Sequence, residues 1–385
     1  MKKYNLLWSA LDNIKYGSLS ITLPNGQIKK FNSNQPGFEA DLIVKNLEAI
    51  DLSIHGGDVG FGESYIMGFW SSNNLPDLLS FFTHNSESLE HYFHAKRWQS
   101  IWLFFTTLFN KNSKKGSKKN IEFHYDLGND FYQLWLDKSM TYSSALFAGK
   151  NISLNKAQLN KYNNIISKLS GKTILEIGCG WGSFACEAIK NNFQVTGLTL
   201  SKKQQEYIQS NIIKDNNNDF EVKLQDYRDE KGTYDNIVSI EMFEAVGKEY
   251  WQTYFNILKK CLKKGGTAIL QIITIDENVF IDYKNRVDFI QKHIFPGGAL
   301  PTKSIINDLV QKSGLQIKSE LNFGLDYAKT LQIWLDNFDK SKKEVIDQGF
   351  DEKFIRKWRF YLSYCIAGFL ARRTDVFQFE IKHDK

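Results

Sequence analysis

Between residues 172 and 275, short apolar runs alternate with stretches of helical period, and this rhythm constrains the chain more than any other feature. "KTILEIG" reads as a buried strand, "SFACEAIKN" as a helix, "FQVTGLTL" as a strand and "SKKQQEYIQSNIIK" as a helix opened by a serine cap. "FEVKLQ", "YDNIVSIE" and "GTAILQIIT" supply three more strands. The pattern predicts an α/β domain built on a doubly wound, mostly parallel sheet.

In such sheets, ligands bind beyond the carboxyl ends of the strands, beside helix N-termini. The turn "LEIGCGWGSF" follows the first strand and places Gly178, Gly180 and Gly182 on alternate positions. Glycines there allow a tight turn and close approach of a ligand to the backbone. A dinucleotide fingerprint would need glycine where Ser183 stands, and a P-loop would need Gly-Lys-Ser/Thr. Glu176, just before the turn, can accept hydrogen bonds from a cationic or amino ligand, which suits S-adenosylmethionine better than NAD. The second strand ends in Thr199, Leu200 and Ser201 instead of an acid, leaving Gln204 and hydroxyls to hold a ribose.

With 42% hydrophobic and 24% charged residues, the 385-residue chain is globular and long enough for two or three domains. No apolar run reaches the ~20 residues of a membrane span. "MKKYNLLWSALDNIK" has acidic and polar residues where a signal peptide would be apolar, so a cytoplasmic protein is expected. Four cysteines form neither a zinc-type pair nor a disulfide pattern, and no metal site is expected. Residues 1–110 carry a hairpin signal at Asn25-Gly26, the runs "DLIVKNL" and "DLSIHGGDVGFGESYIMGFW", and a helix pair from 74 to 110. They read as a small mixed α+β domain. Residues 111–119 read as a basic linker, and 120–385 as the catalytic domain with an insertion around 275–305.

Seven stretches occur in one order: "HYDLGNDFYQLWLDKSMTYSSALF", "LEIGCGWGSF", "VTGLTLSKKQ", "LQDYRD", "SIEMFEAVG", "HIFPGGALP" and "FGLDYAKTLQIW". Together they closely resemble the cyclopropane-fatty-acyl-phospholipid synthase family. The resemblance implies a seven-stranded methyltransferase sheet of the class I type. It also implies methylene transfer from S-adenosylmethionine to a cis double bond in a phospholipid acyl chain. The carbocation formed on the way needs aromatic faces and a positioned base; in the family that base is a bound bicarbonate. Carried over, the donor site would use Tyr142, Ser143, Glu176, Gly178, Gly180, Gly182, Thr199, Leu200, Gln204, Tyr227 and Arg228. Bicarbonate would be held by Glu244, Tyr327, Gln271, Ser144 and Ile273. Three positions depart from the family pattern: Ser144 replaces a cysteine, while Gln271 and Ala245 replace histidines. Serine and glutamine still donate hydrogen bonds to an anion, but neither changes charge near neutral pH as histidine does.

Glu241, three residues before Glu244, competes as the site carboxylate. His91 and His94 stand one helical turn apart but have no third ligand in view. "NNLPDLLSFFTHN", "QSIWLFFTTLF" and the rim of "KFIRKWRFYLSYCIAGFLARR" are candidates for contact with anionic headgroups, placing the enzyme peripherally on the inner membrane face. Helix packing competes for the same residues. The expected partners are phospholipids with unsaturated acyl chains and no nucleic acid; the resemblance adds pairing into a homodimer, which family members often show and no residue here demands. Alternatives are C-methylation giving methyl-branched or methylene chains, small-molecule methyl transfer, and a lipid-surface module with an inactive catalytic domain.

Overall fold

The computed structural model describes residues 4–93, 116, 127–213 and 219–383. The basic linker (Gly116 apart), "QSIWLFFTTLF" and His94 therefore lie outside the described residues. The Asn25-Gly26 signal makes its hairpin: β1 (Ser18–Thr22) and β2 (Ile28–Asn32) pair antiparallel, with Thr22 opposite Ile28. β3 (Glu39–Val44) runs parallel to β1, and β4 (Trp70–Ser71) closes the order β2-β1-β3-β4. The glycine-rich stretch before Trp70 is the helix Glu48–Ile66, broken in direction at Gly57 (φ 57°, ψ −137°). That conformation is open to glycine and strained for other residues.

The larger sheet holds β5 (Thr173–Ile177), β6 (Gln194–Thr199), β7 (Phe220–Leu224), β8 (Tyr234–Ile240), β9 (Leu262–Ile275), β10 (Gln316–Asn322) and β11 (Thr374–Lys382). Their order is β10-β11-β9-β8-β5-β6-β7. β5 through β9 pair in parallel, and β11 runs against both of its neighbours. The chain leaves β5 toward β6 and β7, then returns to lay β8 on the other side. A crevice opens at this reversal, and the segments following β5 and β8 meet there.

The helix Glu352–Leu370 joins the two layers. It buries Ile355, Trp358, Phe360, Tyr361, Leu362 and Ile366. Each such side chain contributes roughly 1.5–3 kcal/mol when fully buried. Its two arginines are structural. Arg356 donates to the carbonyls of Tyr65 (2.5 Å) and Trp70 (2.6 Å) and lies over the Tyr65 ring, while Arg359 pairs with Asp339. The helix Leu75–His84, a candidate for membrane contact, turns Leu75, Leu78, Leu79 and Phe81 into the core. Its amphipathic period is thus used up by packing. In 275–305, the short helices Glu277–Tyr283 and Phe289–His293 form a clasp. Lys292 and His293 both reach Glu63 of the N-terminal layer, and hold its carboxyl down to about 2. Among the described residues no helix is long and apolar enough to cross a membrane.

Candidate active site

Beyond β5, the backbone N–H groups of Gly178 and Cys179 both donate to Leu198 O at 3.0 Å, which ties the glycine turn to the end of β6. Gly178 (φ 84°) has no room for a side chain, since a Cβ would lie 2.7 Å from Met242 Cγ. Gly180 (φ 52°) differs: a Cβ there would meet nothing within 4 Å. Its face opens on a cavity of about 1480 Å³ that runs from the turn to the N-terminal sheet. Gly182 is turned away, capping the helix Ser183–Lys190 in the left-handed conformation.

Glu176, Gly178, Gly180, Tyr142, Ser143, Thr199, Leu200, Gln204 and Tyr227 all line this cavity, so most of the expected donor site converges. The Thr199 hydroxyl donates to Gln204 Oε1 (2.7 Å) at the end of β6, where related sheets carry an acid. Arg228 stands apart from them. It does not line the cavity; its guanidinium grips Asp226 through Nε (2.8 Å) and Nη2 (2.6 Å). The bidentate pair braces the Tyr227 turn that forms part of the cavity wall.

Glu176 is 3% exposed, its Oε2 has no hydrogen-bond partner, and burial pushes its carboxyl well above the usual range. Such a group calls for a cation. Part of that demand is met by Lys161, a fully buried lysine on the helix Leu154–Ile166 that donates to Ser143 Oγ at 2.6 Å. Burial drags its ammonium down to about 7, against the charges of Glu241, Asp137 and Glu176 that hold it up. Sequence reasoning missed Lys161, although the signal exists: it shares the buried face with Leu154, Ala157, Gln158 and Ile165.

Beyond β8 stands Glu241, whose φ of 51° is the left-handed region that non-glycine residues rarely enter. Its carboxylate gathers three donors. Oε1 accepts from Ser144 N (2.8 Å) and Gln271 Nε2 (2.7 Å), and Oε2 accepts from the Tyr327 hydroxyl (2.5 Å). Gln271 is held in this orientation by an amide chain, in which Asn164 donates to Gln378 (2.6 Å) and Gln378 donates to Gln271 Oε1 (2.9 Å). Gln378 lies directly across from Gln271 in the β9–β11 ladder. The Ser144 hydroxyl points elsewhere, to Ala145 O (3.1 Å).

Glu244 makes a different contact: Oε1 accepts from Ile273 N (2.5 Å), and Oε2 is buried without a partner. Burial and the neighbouring Glu241 charge push its carboxyl up to about 8. Glu241, Glu244, Ile273 and Tyr327 border the cavity, whereas Ser144 and Gln271 stand behind it. The residues do not fit bicarbonate. Tyr327, Gln271 and the Ser144 amide, which would hold that anion, already donate to Glu241. A second anion would also be repelled by the Glu241 carboxylate that these donors hold. The same acidity suits a sulfonium and an ammonium. Aromatic faces complete the wall: Tyr142 shares a hydrogen bond with Tyr361 (2.7 Å between hydroxyl oxygens), and the Tyr327 and Phe369 rings lie 4.5 Å apart. Among the described residues no group of three or more His, Cys, Asp or Glu side chains could hold a metal ion.

Residues 112–379 match the model of the mycolic acid cyclopropane synthetase family. The cyclopropane-fatty-acyl-phospholipid synthase of Escherichia coli is 34% identical, over 88% of this chain and 87% of its own. The tuberculostearic acid methyltransferase UfaA1 of Mycobacterium tuberculosis is 33% identical over 84% of this chain and 79% of its own. Among solved structures, mycolic acid cyclopropane synthase CmaA1 complexed with SAH and CTAB superposes with a TM-score of 0.65 at 30% identity, covering 69% of this chain and 97% of that one. The chain belongs to the mycolic acid cyclopropane synthetase family, and it is an S-adenosylmethionine-dependent methyltransferase.

Proposed function

We propose that the protein adds the methyl carbon of S-adenosylmethionine across a cis double bond in an unsaturated phospholipid acyl chain and closes a cyclopropane ring. The observation that carries this reading is the cavity itself. It is one space of about 1480 Å³, bounded by the glycine turn at one end, by apolar residues such as Leu42, Val44 and Phe360 at the other, and by paired carboxylates between them. A small polar acceptor has no use for so long an apolar wall; an acyl chain does.

S-adenosylmethionine supplies an electrophilic methyl on a sulfonium. The alkene π electrons form the new C–C bond while the old C–S pair stays on sulfur, leaving a positive charge on the chain. Tyr142, Tyr327 and Phe369 present faces that stabilise such a charge. Loss of a proton from the added carbon closes the ring.

A second reading is C-methylation, in which a neighbouring proton leaves and a branched chain results. It is favoured by the 33% identity to a tuberculostearic acid methyltransferase and by Gln271, where the cyclopropane pattern has histidine. Mass spectrometry of lipids from cells expressing the protein, fed methyl-labelled donor, decides between them. A labelled product that resists hydrogenation and shows ring fragments supports the synthase. A labelled chain that hydrogenates to a branched acid supports the methyltransferase, and absence of any labelled lipid removes both.

A further inference from the structure

We propose that the carboxylate of Glu241 is the resident anion of this active site and the base that removes the proton from the methylated acyl chain. This rests on the reading above of methyl transfer to an acyl chain, but its first half stands on geometry alone.

The donors around Glu241 define an anion cradle. A hydroxyl (Tyr327), a backbone amide (Ser144) and a side-chain amide (Gln271) converge from three separate elements at 2.5 to 2.8 Å. The resemblance assigns this cradle to a diffusible anion, and in this chain a side chain fills it. The backbone at Glu241 supports that reading, because φ 51° is costly for any residue with a Cβ. A glutamate is kept there because this conformation delivers its carboxylate to the three donors. The Asn164–Gln378–Gln271 chain locks the last amide with its NH2 toward Glu241, so the cradle is set for an acceptor.

The chemistry balances without a co-reactant. A C–H bond of the cationic chain breaks, and its electron pair becomes the third ring bond, or a double bond in the branched product. The proton goes to a carboxylate oxygen of Glu241. Oε1 already accepts two hydrogen bonds and Oε2 one, which leaves Oε2 the receiving atom. Glu244 is a poorer base here: Ile273 N holds one oxygen, and no donor stabilises the other when charged.

The test has a binding arm and a turnover arm. Carbon-13 bicarbonate is titrated by NMR into S-adenosylhomocysteine-loaded wild type, Glu241→Gly and Glu241→Gln. Methyl transfer to vesicles of unsaturated phospholipid is then measured in carbon-dioxide-free buffer, with and without added bicarbonate. Glycine adopts a positive φ freely, so Glu241→Gly is suited to folding, and the isosteric Glu241→Gln serves if it does not. Wild type is expected to bind no bicarbonate and to turn over equally well without it. Glu241→Gln should lose at least about 100-fold in turnover with unchanged affinity for S-adenosylhomocysteine. Glu241→Gly should bind bicarbonate and recover turnover when it is added. Bicarbonate binding by wild type, a wild-type rate that falls without it, or a Glu241→Gln rate near wild type overturns the proposal. So does a folded Glu241→Gly protein that neither binds nor responds to bicarbonate. If no variant, wild type included, methylates lipid, the acyl reading fails, while the binding arm still decides whether Glu241 fills the cradle.

Discussion

The Tyr327 hydroxyl donates to Glu241 Oε2 at 2.5 Å, joining the start of the helix Gly324–Lys340 to the end of β8 across 86 positions of sequence. This bond lends direction to the carboxylate. Tyr327→Phe removes only the hydroxyl and leaves the ring against Phe369. The variant should lose about 1.5–3 kcal/mol of stability, as befits a hydrogen bond to a charged acceptor. Turnover should fall while donor affinity holds, because Tyr327 does not fix the glycine turn. Urea melts and calorimetric titration with S-adenosylhomocysteine check both parts; a drop in donor affinity as large as the drop in turnover would contradict them.

Glu244 makes a pH-dependent demand on the fold. Its carboxyl is raised to about 8 in the folded protein, from the usual value of 4.5. Between these values the unfolded chain is ionised there and the folded protein is not, so stability falls as pH rises. The loss is absent below about 4.5, grows through the window and is complete above about 8, with a slope of about 1.4 kcal/mol per pH unit. Glu244→Gln keeps an acceptor for Ile273 N and removes the titration. Denaturation from pH 6 to 9 should show the variant gaining on wild type as pH rises, and a constant difference would refute this.

Burial raises the Glu241 carboxyl above the usual range, and the Tyr327 hydroxyl, the charge of Lys161, the Ser144 amide and Gln271 work against that rise. Lys161→Met keeps the buried stem and deletes the charge. The acidic limb of the rate profile should then move to higher pH, on the order of one unit. The measurement is turnover against pH for both proteins, and a profile that stays put separates Lys161 from the carboxylates.

Gly178 and Gly180 predict opposite kinds of damage. Gly178→Ala drives a methyl into Met242 and should chiefly lower the melting temperature. Gly180→Ala meets no protein atom within 4 Å. It should cost about 1 kcal/mol for the left-handed backbone yet weaken donor binding more strongly than any loss of stability explains. Melting curves beside donor titrations distinguish the two.

Arg356 holds two carbonyls of the N-terminal layer. Arg356→Ala leaves both without that donor and removes the cation from the Tyr65 face, so a loss of about 2–4 kcal/mol is expected. Arg356→Lys should recover little, because an ammonium cannot span two carbonyls as a planar fork does. Limited proteolysis around residues 45–70 reports the outcome.

Four of the five parallel strands were readable as apolar runs that end up largely buried, and β7, at the sheet's edge, from the alternation in "FEVKL". β10 and β11 were not. "QIKSELN" is the sheet's edge, alternating half-covered with exposed residues, and β11 starts directly after a helix whose apolar pattern runs up to it. The glycine turn was legible from local spacing. The role of Glu241 was not, because its three partners lie 97, 30 and 86 positions away, and nothing local ranks it above Glu244. Arg228 is the opposite case: its carboxylate partner stands only two residues off, and that pairing holds the guanidinium apart from the cavity lining.

Leu11, Val44, Trp70 and Phe360 belong at once to the hydrophobic core between the layers and to the cavity wall. The joint that holds the two halves together is thus also the surface that meets the ligand. Any apolar chain bound there acts as mortar between them, adding contacts that only the folded protein offers. Heat resistance should therefore rank lipids by fit: the acyl chain that raises the melting temperature most is the one the chamber is shaped for, and it can be identified without a single turnover.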